Sequence, residues 1–201
     1  MNNKEFLIQI LLELRSNGIK NKVLLEAVEK IPPHYYLSFL KHTKLYKEFS
    51  LKELVIIIQT LELSIVTKKK VDNILVLGTK AGWSLPILTK MGKRVYSLCE
   101  NANHKYLLEE VFNKIGNNNI FLTIGSDFSN WRRVSPFDII ISFKNNNNIF
   151  NSIEDYLSKN GVAIVPRLFR DKDYKMIKIK KSSDLVTLDI NYNFLCNSNL
   201  I

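Results

Sequence analysis

Two glycines four residues apart, Gly78 and Gly82, frame the part of this chain best suited to chemistry. In the stretch ILVLGTKAGWSLPILTKMGKRVYSLCE, from Ile74 to Glu100, an apolar run ends at Gly78 and Gly82 opens an amphipathic segment; Gly92 closes it, and a second apolar run follows. Glycine at 78 lets the backbone turn tightly off a strand, and glycine at 82 lets a helix start lie close to a ligand. A glycine turn alone is a weak motif, because many α/β proteins turn this way around nothing. Acids follow the next two predicted strands. Glu100 comes directly after RVYSLC and Asp127 comes shortly after IFLTI. Each has a local alternative: Glu100 as a solvated residue in the first turn of the next helix, Asp127 as a cap on the turn at Phe128. Ser50 offers a hydroxyl, yet Ser50-Leu51-Lys52-Glu53 is also a complete helix capping box. None of the three histidines has a partner at metal-ligand spacing, and no nucleophile–base–acid triad is visible.

Strand, glycine turn, helix and strand make a βαβ unit, the entry module of doubly wound folds. The periodicity predicts further elements on either side. Phe6, Ile10, Leu11 and Leu14 share one face of a helix over 3–16 that Gly18 stops. Leu24 to Ile31 reads as a second helix ended by Pro32-Pro33, His34 to His42 as a third, and 51–66 as a fourth. From there strands and helices alternate: strand 74–78, helix 82–91, strand 94–99, helix 102–115, strand 120–124, a loop through Trp131, strand 137–142, helix 149–158 and strand 162–166. That order predicts a largely parallel sheet covered on both faces. Met176 to Lys180 and Leu185 to Ile190 alternate in the manner of an antiparallel hairpin. The expected organisation is an N-terminal helical extension, residues 1–66, packed on a sheet domain of residues 71–201. Ile74 to Gly78 should be a central strand, with any small-ligand pocket at its C-terminal end.

At 201 residues and 46% hydrophobic, the chain is long enough for one well-packed domain. Its formal charge is +10, mostly from scattered lysines. The tight clusters are Lys68 to Lys70 and the group Lys175, Lys178, Lys180 and Lys181. Neither forms the arginine-rich, aromatic-interleaved stripe of a nucleic-acid reader, so no specific nucleic-acid partner is expected. Two cysteines, Cys99 and Cys196, make no disulfide framework. No apolar run reaches the ~18 residues of a membrane span. The FLIQILL patch is broken by Gln9, Glu13 and Arg15, and no cleavage site follows it. The expected compartment is the cytoplasm.

The sequence resembles the protein-L-isoaspartate O-methyltransferases, a family dependent on S-adenosylmethionine. ILVLGTKAGW and VYSLCE match, without a gap, the family's VLEIGTGSGY and VYSIE. LLELRSNGI followed by LLEAVEKIPPHYYL resembles its opening segment, WRRVSPFDIII its "GW....PFD.I.V", and YLSKNGVAIVP its "L..GG.LV.PVG". The resemblance runs from about Leu11 to Pro166. It implies an S-adenosylmethionine-dependent methyltransferase Rossmann-like fold, α/β, with a parallel sheet, a C-terminal antiparallel hairpin and the N-terminal helices. It implies methylation of isoaspartyl carboxylates in damaged protein. It carries Gly78, Thr79, Gly82, Glu100 and Asp127 over as cofactor contacts, Glu100 toward the ribose hydroxyls and Asp127 toward the adenine amine, and Ser50 as a substrate-side hydroxyl.

The departures lie where the cofactor would sit. Lys80 stands where the family has its central turn glycine, Val76 replaces the acid of the first strand, and Cys99 replaces the acid of the second, with Glu100 one place late. Gly125-Ser126-Asp127 replaces Gly-Asp-Gly, and Phe49 to Lys52 follows the substrate segment "ISQP" only loosely. The alternative reading is therefore a catalytically inactive homologue that acts as a binding or scaffold protein.

Overall fold

The structure is a computed structural model that describes residues 3–46, 48–65, 70–78, 82–125, 131–143, 153–168, 174–182 and 186–192. Four helices come first: α1 (Asn3–Ser16), α2 (Lys22–Lys30), α3 (Pro33–Ser38) and α4 (Leu51–Leu63). Then follow β1 (Asn73–Leu77), α5 (Ser84–Leu88), β2 (Arg94–Cys99), α6 (Ala102–Lys114), β3 (Ile120–Ile124), β4 (Phe137–Ser142), β5 (Leu157–Leu168), β6 (Tyr174–Lys181) and β7 (Val186–Tyr192).

Local chemistry sets most boundaries. Gly18, at φ +86°, ends α1 in the left-handed region. The Asn21 side chain accepts from the Leu24 N–H at 3.0 Å and starts α2, while Pro33 opens α3 where its missing N–H costs nothing. Ser50 and Glu53 form the expected reciprocal capping box on α4. At the other end of α4, Lys178 of β6 donates its ammonium to the Leu63 carbonyl, a cation placed at the negative end of the helix dipole.

The seven strands form one sheet in the order β3-β2-β1-β4-β5-β6-β7. The first five in that order are parallel; β6 runs antiparallel to β5 and β7 antiparallel to β6. This is the parallel sheet with a C-terminal hairpin that the alternation predicted, and β1 is central. Residues 139 to 141 of β4 are all isoleucine and fully buried, as a strand covered on both faces requires. On one face Ile74, Val76, Val95, Ile139 and Ile141 share a hydrophobic cluster with residues from α1 to α6, among them Ile10, Leu14, Leu24, Tyr36 and, from α4, Ile57 and Ile58. On the other face Leu75, Leu77, Tyr96 and Ile140 pack with Trp131, Phe137, Ile153 and Val165.

Several expected helices are shorter than the periodicity suggests: α3 ends at Ser38 rather than His42 and α4 at Leu63, and two later ones shorten more. The segment 82–91 is helical only over Ser84–Leu88, after which Lys90 and Met91 close tight turns onto Ile87 and Leu88. Pro86 supplies no N–H to the first turn. Gly92 then approaches β1 so closely that a Cβ there would lie 2.7 Å from Ile74 Cδ1. In the segment 149–158, the described part is helical only at 153–156, and β5 begins at Leu157. Leu157 pairs with Phe137, and Asn160, at φ +64°, carries the chain through a register shift before Val162 pairs with Ile139.

Asp138 explains why strand pairing wins there. Its buried carboxylate accepts from the backbone N–H of Asp72 at 2.7 Å and of Asn73 at 3.3 Å, and from the Ser158 hydroxyl at 2.7 Å. One side chain therefore ties the N-terminal ends of β1, β4 and β5 together.

Candidate functional site

The sheet order reverses at β1, which has β2 on one side and β4 on the other. Crossovers leave the sheet in opposite directions from such a point and open a crevice at the C-terminal strand ends. Those ends are held in register: Phe143 N–H donates to the Leu77 carbonyl at 2.8 Å, and Gly125 N–H to the Cys99 carbonyl at 3.2 Å. Gly78, the first residue past β1, has φ +79°, and Gly82 has φ +71°. Both use backbone that a side chain disfavours. Thr79 and Lys80 between them, and Ser126 and Asp127 after β3, lie outside the described residues.

Gly82 is in contact with the N-terminal helices. A Cβ at this position would meet Tyr36 Oη at 3.0 Å and Leu108 Cδ2 at 3.1 Å. Tyr36 is fully buried, stacks on Phe112 with ring centroids 6.4 Å apart, and has its phenol pushed well above the usual tyrosine range by burial. Trp83, next in the chain, is also buried; its indole N–H donates to the Ile31 carbonyl at 2.9 Å, and its ring lies 6.3 Å from that of Phe49. Phe49 precedes Ser50, so the packing brings the start of α4 to the glycine turn. The Ser50 hydroxyl itself is engaged locally, accepting from the Glu53 N–H at 3.2 Å and donating to Glu53 Oε2 at 2.9 Å.

At the end of β2, two adjacent side chains differ sharply. Cys99 shares a strand face with Val95 and belongs to the cluster containing Leu108, Val111 and Phe112. Burial, with Glu109 nearby adding to it, pushes its thiol up to about 12, so it is neutral. Glu100 is exposed, and its N–H donates to His104 Nδ1 at 3.3 Å, which turns the chain into α6. Asn101 caps that helix by accepting from the His104 N–H at 2.9 Å. An exposed carboxylate thus sits one residue past β2, beside the crevice, and a neutral thiol sits at the strand end. The Tyr36–Gly82 contact was missed by sequence reasoning. Its signal was the PHYYL segment, where Tyr36 overlies an aromatic of the family's opening pattern, and Tyr36 is the one that turns inward.

Among the described residues, no cluster of histidine, cysteine, aspartate or glutamate could hold a metal, and no helix is long and apolar enough to cross a membrane. No family model matches the chain. Curated relatives do. A protein-L-isoaspartate O-methyltransferase of Dictyoglomus turgidum is 27% identical over 182 residues, covering 85% of this chain and 80% of its own length. One of Maricaulis maris is 24% identical over 190 residues, covering 90% of this chain and 87% of its own. Among solved structures, a Plasmodium falciparum protein described as a protein-L-isoaspartate O-methyltransferase, in complex with S-adenosyl-L-homocysteine, superposes with a TM-score of 0.68. It is 13% identical, with 92% of this chain and 94% of that one covered. A second protein-L-isoaspartate O-methyltransferase structure reaches a TM-score of 0.70 at 15% identity, covering 96% of this chain and 67% of the other. The fold is the one these methyltransferases share, N-terminal helices included.

Proposed function

We propose that this chain is a divergent protein-L-isoaspartate O-methyltransferase, transferring a methyl group from S-adenosylmethionine to isoaspartyl carboxylates of damaged protein. The observation that carries the reading is the joint agreement of order and extent: curated relatives of that function align over most of their own length as well as of this chain. The described residues fit the cofactor in outline. Gly78 puts a sharp turn at the end of the central strand, and the exposed Glu100, one residue past β2, is the carboxylate that would hold the ribose hydroxyls. Cys99 departs from that fit, because a neutral thiol in an apolar cluster accepts hydrogen bonds poorly.

The cofactor, when bound, supplies an electrophilic methyl on a sulfonium. The acceptor carboxylate is already ionised near neutral pH, so no side chain has to remove a proton. What remains for this chain is positioning in a site shielded from water. The Gly82–Trp83 turn, braced by Tyr36, Leu108 and Phe49, would form one wall of that site. With Cys99 at the strand end, Glu100 is the carboxylate left to hold the cofactor's sugar, and Thr79 and Asp127 would complete the contacts.

A direct test is incorporation of labelled methyl from S-adenosylmethionine into an isoaspartyl peptide, with the matching aspartyl peptide as control. Label in the isoaspartyl peptide alone supports the proposal. A second reading, a non-enzymatic scaffold, draws on the buried neutral Cys99. It prevails if label is absent at saturating donor and calorimetry detects no heat with S-adenosylhomocysteine.

A further inference from the structure

A cavity of about 250 Å³ lies between α1, α3 and the segment that leads into α4. Phe6, Leu37, Phe49 and Leu54 form its apolar walls, and the exposed Lys41 and Glu48 stand at its mouth. Drug-sized ligands use pockets of roughly 300–1,000 Å³, and an apolar cavity of about 150 Å³ already admits benzene. The space therefore suits one large aromatic side chain better than a whole cofactor. Its position is as informative as its size. Phe49 is a wall of the cavity, packs on Trp83 beside Gly82 and adjoins Ser50, so the cavity is continuous through one ring with the glycine turn. A cation and an anion at the mouth match an extended peptide, whose carbonyls and N–H groups would meet Lys41 and Glu48 while one side chain drops between them.

We propose that this cavity receives an aromatic side chain, tyrosine above all, from the polypeptide whose isoaspartyl residue is modified. The inference rests on the function proposed above and adds sequence preference to it: residues flanking the damaged position are read by an aromatic-lined hole. Aromatic walls reward ring stacking, and a phenol hydroxyl can stay at the polar mouth while the ring is buried.

The test uses the intact chain and does not depend on methyl transfer. p-Cresol, standing for a tyrosine side chain, should bind saturably at about millimolar concentration, with NMR contacts to the Leu37 and Leu54 methyl groups. Short isoaspartyl peptides with tyrosine moved through the flanking positions of a glycine background should show, by calorimetry, at least about fivefold tighter binding for one position. Ser38→Trp, at an exposed site on the rim, should close the mouth and remove both effects while leaving the melting temperature nearly unchanged. Failure of p-cresol to saturate overturns the proposal, as does equal binding of all the peptides or persistence of the preference in Ser38→Trp. Tyrosine-selective binding without methylation would leave this inference standing and sink the enzymatic reading alone.

Discussion

The hydroxyl of Tyr36 stands 3.0 Å from the point where a Cβ on Gly82 would lie, so the N-terminal helices and the glycine turn are built against each other. Gly82 is required twice over, by its φ of +71° and by this contact. Gly82→Ala is expected to cost about 2–3 kcal/mol, a melting temperature about 4–12 °C lower. Adding Tyr36→Phe removes the nearest atom and should make the double variant less destabilised than the sum of the singles by at least about 0.5 kcal/mol. Strict additivity would mean that the two residues do not press on each other.

Cofactor affinity is the second expectation. A charge-assisted contact is worth about 1.5–3 kcal/mol, so its loss at the end of β2 weakens binding roughly 10- to 150-fold. S-adenosylhomocysteine should bind weakly by calorimetry, and Lys80→Gly combined with Cys99→Glu should bind it tighter. The same double variant should melt lower without ligand, because residue 99 lies in an apolar cluster where a carboxylate is poorly solvated. Micromolar binding by the unmodified chain would transfer the whole role to Glu100, and Glu100→Gln should then abolish it.

The state of Cys99 can be read chemically. With its thiol held up at about 12, its thiolate fraction at pH 8 is about 10⁻⁴, against roughly a quarter for a free cysteine. Iodoacetamide should therefore label Cys99 at least about a thousandfold more slowly in the folded protein than in the urea-unfolded chain, with mass spectrometry locating the label. Comparable rates would place the thiol at the surface.

Ser50 separates a structural role from a chemical one. Its capping box predicts that Ser50→Ala loses about 1 kcal/mol, or about 2–4 °C in melting temperature, and that Ser50→Asp restores most of it. Methyl transfer per folded molecule should be unchanged in both. A loss of turnover in Ser50→Asp without a loss of stability would assign the hydroxyl to the substrate.

His34, which also lines the cavity, carries a pH signature. Burial lowers its imidazole below the ordinary 6.5, so the unfolded chain takes up a proton that the folded chain resists. The associated stability is fully present above pH 6.5 and is lost as the pH falls below it toward the folded value. Melting curves from pH 7.5 to 5 should be steeper for the natural chain than for His34→Gln. Parallel curves would show that this imidazole is equally solvated in both states.

Much of this architecture could be read from residue order, because it follows from local rules. The apolar runs at 74–77 and 137–142, the glycine that ends the first and the Ser50–Glu53 box are each signalled within a few residues. What failed depends on distant partners. Helix α5 stops early because Gly92 meets Ile74, and β5 begins at Leu157 because Ser158 answers Asp138, twenty residues upstream. The site was half legible for the same reason. Gly78, Gly82 and Glu100 stand out by type and spacing, whereas Tyr36, 46 residues from Gly82, becomes part of the turn only once the helices dock. The burial of Cys99 was legible as well, since it lies in an apolar strand and shares parity with Val95.

The Asp138 clamp has a consequence for how this protein can change. Its hydrogen bonds to Asp72, Asn73 and Ser158 lock the floor of the sheet, at the strand ends opposite the crevice, away from positions 80, 99 and 126 in the chain. Substitutions along the crevice rim therefore leave these particular bonds in place, whatever they cost locally. A lineage can lose, swap or reinvent its ligand contacts at one end while the strand pairing at the other keeps its own anchor. Chemistry and architecture in this chain are free to drift at different speeds.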